Sequence, residues 1–132
     1  KLNIEKYVKF HGWVNKREKL EELLSTGAIG LATFNTNILD EKIKNADPGK
    51  IKDYMLMGLP VIATDAFWYW KDVEEKKAGI IINYDVDELV KAILKLLTSP
   101  KRLKEYRENA IEFIEPFDWD NIFKKNLPRI LN

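Results

Sequence analysis

Residues 47–64 constrain the fold of this chain more than any other stretch, because they combine a helix start, a sharp helix stop and a buried strand. Their sequence is DPGKIKDYMLMGLPVIAT. Pro48 suits the first turn of a helix, where its missing N–H would have no partner in any case. Gly58 and Pro60 end that helix, and the apolar run that follows begins a strand. The stretch therefore predicts one short helix followed at once by a strand.

The start of this helix has the layout of a phosphate site. Free backbone N–H groups and the helix dipole favour an anion there, Gly49 lets a ligand approach the backbone, and Lys50 adds a full charge. Asp53, one turn further on, is placed to accept hydrogen bonds from a sugar hydroxyl. Each residue also has a plainer interpretation: Lys50 and Lys52 as solvated charges, and Asp53 as an exposed acid stabilised by the helix dipole.

Apolar runs alternate with helical patterns along the chain, as βαβ units require. The predicted strands lie near residues 7–11, 28–33, 60–64 and 79–82. Each is short and mostly apolar, which is typical of a parallel sheet covered by helices on both faces. The predicted fold class is therefore α/β.

Capping signals place the helices between and after these strands. Asn15 and Glu18 have the spacing of a capping box ahead of a helix near residues 16–26. Asp85 and Glu88 form a second box ahead of a strongly amphipathic pattern.

Further helices are predicted after this amphipathic one. Ser99 and Pro100 open a helix that Pro116 closes. Asp118 is expected to cap a last helix, in which the apolar side chains of Trp119, Ile122 and Phe123 face inward.

Length and composition indicate one globular domain, residues 1–132. The chain is 45% hydrophobic and 33% charged, so it is long and apolar enough to bury a modest core. Acids and bases nearly balance at a net charge of +1, so bulk charge favours neither nucleic acid nor a membrane surface. Any anion site must therefore be local.

The chain has no cysteine and a single histidine, His11. Disulfides and thiolate chemistry are excluded, and a cytoplasmic location is expected. A lone histidine near a strand end is more often structural than catalytic, and neither a metal site nor a cofactor is expected. No apolar run has the length of a membrane span, and from its first residues the chain is not expected to carry a signal peptide. The first residue is Lys1 rather than Met, so a fragment of a longer protein is expected.

The pattern P-x-K-x-x-D-Y-M-x-x-G-x-P-V-I-A-T, which begins at Pro48, resembles the donor-site segment of family 4-type (group 1) retaining glycosyltransferases of the two-domain GT-B fold. Residues 8–14 (VKFHGWV), 29–33 (IGLAT) and 78–82 (AGIII) resemble three strands of that family. Residues 117–119 (FDW) resemble the aromatic pair that opens its last helix. The resemblance covers nearly all of the chain but only part of the family's C-terminal, donor-binding domain.

The resemblance implies a Rossmann-like parallel sheet flanked by helices, as part of a GT-B C-terminal domain that ends in two or three C-terminal helices. It implies a nucleotide-diphosphate sugar as donor substrate, with the diphosphate on the amides near Pro48 to Lys50, the ribose on Asp53 and the base near Gly12 to Val14. The implied nucleotide-sugar-binding residues are Gly12, Trp13, Val14, Asn45, Asp47, Pro48, Gly49, Lys50 and Asp53. In the family an acidic residue stands at the position of Asn45, and Asp47 or Glu41 are candidates to substitute for it.

The chain departs from the family in what it lacks. Two strands that open the family's second domain, with a glycine-rich turn and an Arg and Lys pair, are not present, and their loss would separate the strand at 7–11 from the others. The acceptor-binding domain, with its catalytic His or Asp, is also missing. We therefore expect donor binding without sugar transfer by this chain alone. In the full-length enzyme the acceptor would be a glycan or a lipid-linked molecule, and a peripheral membrane contact is left open.

Four consecutive aromatic residues follow the predicted strand at 60–64, namely Phe67, Trp68, Tyr69 and Trp70. The resembling family has a glycine-rich turn here. Packing, or a contact with another domain or a second copy, is favoured over stacking on a ligand. Two other functions remain alternatives: a non-catalytic nucleotide-binding module of doubly wound fold, and a protein-interaction domain that uses this cluster.

Overall fold

The computed structural model describes residues 3–38, 47–117 and Asn121. Its centre is a parallel sheet of three strands in the order β1 (Gly30–Ala32), β2 (Val61–Ala63) and β3 (Gly79–Ile81). The helices are α1 (Arg17–Ser25), α2 (Gly49–Leu56), α3 (Trp70–Glu75), α4 (Val86–Leu97) and α5 (Pro100–Ile114). Short 3-10 turns occupy Glu5–Tyr7 and Glu115–Phe117. The predicted α/β class, with a Rossmann-like sheet flanked by helices, is confirmed.

Helices cover both faces of the sheet, because alternate residues of each strand point to opposite faces. On one face, Ala32, Val61 and Ala63 pack in a layer with Ile51 and Met55 of α2. That layer also contains Phe67, Tyr69, Val73, Ala78, Ala110 and Ile114. The layer on the other face contains Ile62, Ile82, Ala92, Leu96 and Tyr106. The strands are therefore apolar on both sides, as predicted for a covered parallel sheet. The exception to the cover is Leu31, in the middle of β1, which is 45% exposed.

The prediction of a strand at residues 7–11 is wrong. Residues 5–7 form a 3-10 turn, and Val8 to Lys16 adopt no regular structure. The side chains of Phe10 and Trp13 are each 92% exposed. A strand needs a neighbour that accepts and donates its backbone hydrogen bonds, and within the described residues the sheet ends at β1. The other three predicted strands are confirmed with shorter bounds.

The end of α2 follows the local chemistry of its sequence. Gly58 has a φ of +68°, which a side chain would disfavour. Its N–H donates to the Met55 carbonyl at 2.9 Å, and the Leu59 N–H donates to the Tyr54 carbonyl at 2.9 Å. This is the Schellman pattern, in which two carbonyls of the last turn gain partners. The chain then turns through Pro60 into β2, so the predicted helix stop is confirmed.

The predicted helix starts differ in outcome. The capping box of Asn15 and Glu18 is wrong, because α1 begins after Lys16 and has no side-chain cap. Asp85 does cap α4, where its carboxylate accepts from the Glu88 N–H at 2.9 Å.

The cap of α5 is confirmed as well. The Ser99 hydroxyl accepts from the Arg102 N–H at 3.3 Å. Pro100 follows as the first residue of the helix, where its missing N–H leaves no bond unmade. The helix predicted after Asp118 lies outside the described residues.

The Glu88 carboxylate, in the first turn of α4, contacts Asn83, which precedes the N-cap residue Asp85 in the chain. It accepts from the Asn83 side-chain amide at 2.9 Å and from the Asn83 N–H at 2.8 Å, and these bonds lower the pKa of Glu88. A lowered folded-state pKa means that the carboxylate stabilises the fold above its unfolded pKa, and that this contribution disappears as the pH falls through the folded-state pKa.

Glu88→Gln is therefore expected to reduce the loss of thermal stability between neutral pH and about pH 3, well below the ordinary Glu pKa of about 4.3. The melting temperature across this range measures the effect. Glu18→Gln, in the first turn of α1, is the matched control, since α1 has no side-chain cap. Identical acid slopes for the Glu88 variant and the unmodified protein would contradict the prediction.

Candidate functional site

The amino end of α2 lies at the carboxyl edge of the sheet, because the chain leaves β1 at that edge and returns through α2 to β2. Ligands of α/β proteins collect at this edge. Thr64, buried directly after β2, connects the segment that follows β2 to the segment that follows β1. Its hydroxyl donates to the Phe34 carbonyl and accepts from the Phe34 N–H, both at 3.0 Å. The ends of β1 and β2 are thus joined to each other at this edge.

A cleft of about 290 Å³ opens beside the first two turns of α2. We call it the α2 cleft, and it is lined by Arg17, Gly49, Lys52, Asp53, Leu56, Ile114 and Phe117. A Cβ at Gly49 would meet nothing within 4 Å, so the backbone of the first turn is open to approach. Unpaired N–H groups and the positive end of the helix dipole favour an anion at such a position. The cleft combines this helix end with two cations and one carboxylate.

Arg17 crosses from α1 to the Asp53 carboxylate. Its Nη1 lies 2.6 Å from Asp53 Oδ1, and its Nε lies 2.6 Å from Glu21 Oε1. The hydrogen bonds to Glu21 and then Asp53 raise the pKa of Arg17, so the guanidinium stays charged. The Arg17 side chain is 51% exposed and that of Asp53 is 30% exposed. The pair is therefore accessible to a ligand in the cleft.

The two lysines of α2 point to different places. Lys52 lines the cleft and pairs with Asp47, with 2.6 Å between Nζ and Oδ2. Lys50 instead places its Nζ 4.3 Å from the centre of the Phe34 ring, a cation–π contact. Of these two lysines, Lys52 is thus the one that lines the α2 cleft. Pro48 stands just before the helix, at its N-cap position, and not in the first turn as its residue type predicts.

A second cleft, of about 430 Å³, lies between the amino-terminal segment and α1. We call it the α1 cleft, and it is lined by Lys9, His11, Trp13, Val14, Asn15, Lys19, Glu22, Leu23 and Thr26. Gly12, directly before Trp13, has a φ of +65°. The two clefts share no lining residue, although α1 contributes to both.

The nine residues predicted for nucleotide-sugar binding fall into separate groups. Gly49 and Asp53 lie together in the α2 cleft, and Asp47 joins them through Lys52. Trp13 and Val14 lie in the α1 cleft, beside Gly12. Asn45 lies outside the described residues, as does Glu41.

The aromatic run after β2 is largely core. Phe67 is 0% exposed and Tyr69 is 1% exposed, and their ring centres are 4.7 Å apart in an edge-to-face arrangement. Trp68 is 56% exposed. Packing is therefore confirmed for Phe67 and Tyr69, and Trp70 is partly buried against the same layer, whereas Trp68 faces solvent. The buried Tyr69 hydroxyl has no hydrogen-bond partner in the described part of the chain, and burial, then the charge of Asp47, raises its pKa.

For three of the residues that line the α2 cleft, no pattern in the sequence predicted that they would lie there. The Arg17 contact with Asp53 spans 36 residues, so no local pattern announces it. The cleft is also lined by Ile114, the last residue of α5, and by Phe117 in the 3-10 turn that follows it. The helix α5 packs on α2. The helical spacing of α5 indicated an apolar face but not which helix that face covers.

The described residues contain no group of three or more His, Asp or Glu side chains arranged to hold a metal ion. Among the helices within the described ranges, none has the length and apolar character needed to cross a membrane.

Comparison with known proteins assigns the chain to a family. No curated protein and no solved structure matches the chain significantly. The family model described as glycosyl transferases group 1 matches residues 1–99, which is 99 of the 132 residues. This range contains the three strands and the helices α1 to α4. It therefore includes all the residues that line the α2 cleft except Ile114 and Phe117. The chain therefore belongs to the group 1 glycosyl transferases, whose general activity is the transfer of a sugar.

Proposed function

We propose that residues 1–132 are the donor-binding, C-terminal domain, still partial, of a family 4-type retaining glycosyltransferase of the GT-B fold. The observation that carries the proposal is the position of Gly49, Lys52 and Asp53 around one cleft at the amino end of α2. Family membership supports sugar transfer as the reaction class. The cleft lies at the carboxyl edge of a parallel sheet, which is where doubly wound α/β folds bind nucleotides, and this position supports a nucleotide as the ligand.

The diphosphate of the donor would rest on the first turn of α2. The backbone at Gly49 is open, the helix dipole is favourable, and Lys52 supplies a positive charge. As the bond between sugar and phosphate breaks, negative charge grows on the leaving diphosphate. The same groups would stabilise that charge without reorganising.

The ribose hydroxyls would donate to Asp53, and the base would lie towards Gly12, Trp13 and Val14. Asn45 would contact the donor sugar through its amide, which can hydrogen-bond a hydroxyl but supplies no charge. The catalytic groups and the glycan or lipid-linked acceptor would come from an acceptor-binding domain. This chain alone would thus bind a hexose donor without transferring it, and no separate cofactor is required.

Asp53→Ala is expected to weaken binding of nucleoside diphosphates by about 10- to 100-fold, the equivalent of one hydrogen-bonded charge, about 1.5–3 kcal/mol. The fold should persist, because the pair with Arg17 is accessible and such exposed pairs contribute at most about 1 kcal/mol. Calorimetric titration of UDP, GDP, ADP and their common sugar conjugates measures the affinity and identifies the base.

Asp87→Ala is the matched control, since Asp87 is an exposed acid in the first turn of α4, away from the cleft. It should bind nucleotides like the unmodified chain. Equal affinity in the Asp53 variant would remove Asp53 from the site. A folded, unmodified chain that binds none of these nucleotides would contradict the proposed function itself.

A further inference from the structure

Arg17 occupies the carboxylate on which the proposed ribose contact depends. The residue lies at the start of α1, and its Nη1 reaches Asp53 Oδ1 at 2.6 Å across the α2 cleft. A carboxylate that already accepts from a guanidinium is a poorer acceptor for hydroxyl groups. A ligand with ribose alone must therefore compete with Arg17 for Asp53.

The cleft holds a second pair of the same kind. Lys52 Nζ lies 2.6 Å from Asp47 Oδ2, so each cation that lines the cleft is paired with a carboxylate. A ligand with both phosphate and ribose could take the cations with its phosphates and the Asp53 carboxylate with its hydroxyls. Arg17 and Asp53 would then each exchange one partner for another, and neither would be left unpaired.

The contacts of the Arg17 side chain allow such an exchange of partners. Its Nε is held by Glu21 at 2.6 Å, so the anchored end stays on α1 while the Nη end contacts Asp53. The side chain is 51% exposed, so about half of its surface meets solvent rather than protein. A guanidinium binds phosphate through two parallel N–H donors, which makes it a stronger partner for phosphate than for one carboxylate oxygen.

We propose that Arg17 is a specificity-determining residue that pairs with Asp53 in the unliganded protein and transfers to the diphosphate when a nucleotide binds. It selects phosphorylated ligands over nucleosides, because only a phosphate replaces the partner that Arg17 gives up. The inference rests on the proposed function, since it assumes that the α2 cleft binds a nucleoside diphosphate.

The test compares each nucleoside with its diphosphate, using uridine and UDP, guanosine and GDP, and adenosine and ADP. In Arg17→Ala, nucleoside affinity should rise by about two- to fivefold, the effect of removing an exposed ion pair. Diphosphate affinity should fall by about tenfold or more, the effect of one charge-assisted contact. The preference for diphosphate should therefore drop by at least about 20-fold.

Two further variants sharpen the comparison. Lys16→Ala removes the same charge one residue earlier, outside both clefts, and should leave the preference within about twofold of the unmodified chain. Arg17→Lys keeps the charge without the two-pronged geometry and should give an intermediate preference. Circular dichroism checks that each variant keeps its helix content.

The outcomes separate this inference from the proposed function. If Arg17→Ala weakens nucleoside and diphosphate equally, Arg17 only orients Asp53 and the exchange is wrong. If the unmodified chain binds diphosphates and Arg17→Ala binds them equally well, the exchange is wrong while the donor-binding function stands. If neither chain binds any of the six ligands, both the inference and the proposed function are overturned.

Discussion

Phe67→Ala is expected to lower the free energy of unfolding by about 3–5 kcal/mol, the range for removing a fully buried phenyl ring. The Phe67 side chain is 0% exposed and lies edge-on to Tyr69 in the layer between the sheet and α2. The same layer contains Ala110 and Ile114 of α5. A cavity there could close only if these helices moved towards the strands, so little of the loss would be recovered.

Denaturant unfolding measures this effect, and the neighbouring aromatic residue provides the control. Trp68 is 56% exposed, so Trp68→Ala should cost less than about 1 kcal/mol, as for most surface substitutions. Similar losses in both variants would contradict the burial that separates these two adjacent residues. Since small domains have a total stability of about 5–15 kcal/mol, the Phe67 variant is best studied below room temperature.

Gly79→Ala is the second change with a large expected effect, a loss of about 2–3 kcal/mol from overpacking. An added Cβ would lie 2.5 Å from the Val61 carbonyl oxygen, 2.7 Å from Val61 Cγ2 and 2.9 Å from Val73 Cγ1. The nearest atom belongs to the backbone of β2, which is paired on both sides and cannot give way alone. The strain would therefore spread through the sheet.

Gly49→Ala is the matched control for this substitution. Nothing lies within 4 Å of the position of its Cβ, and the residue begins a helix. Alanine there should raise stability by about 0.5–1 kcal/mol, because the unfolded chain loses freedom while the native backbone is unchanged. Thermal or denaturant unfolding of the pair should thus give shifts of opposite sign. Shifts of the same sign would argue against the close approach of β2 and β3.

Part of the candidate site was predictable from local sequence. The helix start at Gly49 and the position of Asp53 one turn later follow from residue types a few positions apart. The direction of the lysine side chains was not predictable, because Lys50 and Lys52 differ only in which neighbour each meets, Phe34 or Asp47. Those neighbours are brought in by the loop after β1 and by the residues that lead into α2.

The sequence by itself determined the short elements whose causes are local. Gly58 and Pro60 restrict the backbone where α2 must end, and Asp85 satisfies an N–H where α4 begins. Tertiary structure decided whatever needed a distant partner. The segment at 7–11 has the composition of a strand but pairs with no strand of the described sheet, and Arg17 meets Asp53 across 36 residues. The physical reason is that a turn or a cap is complete within a few residues, whereas a strand or an ion pair exists only when the fold supplies its other half.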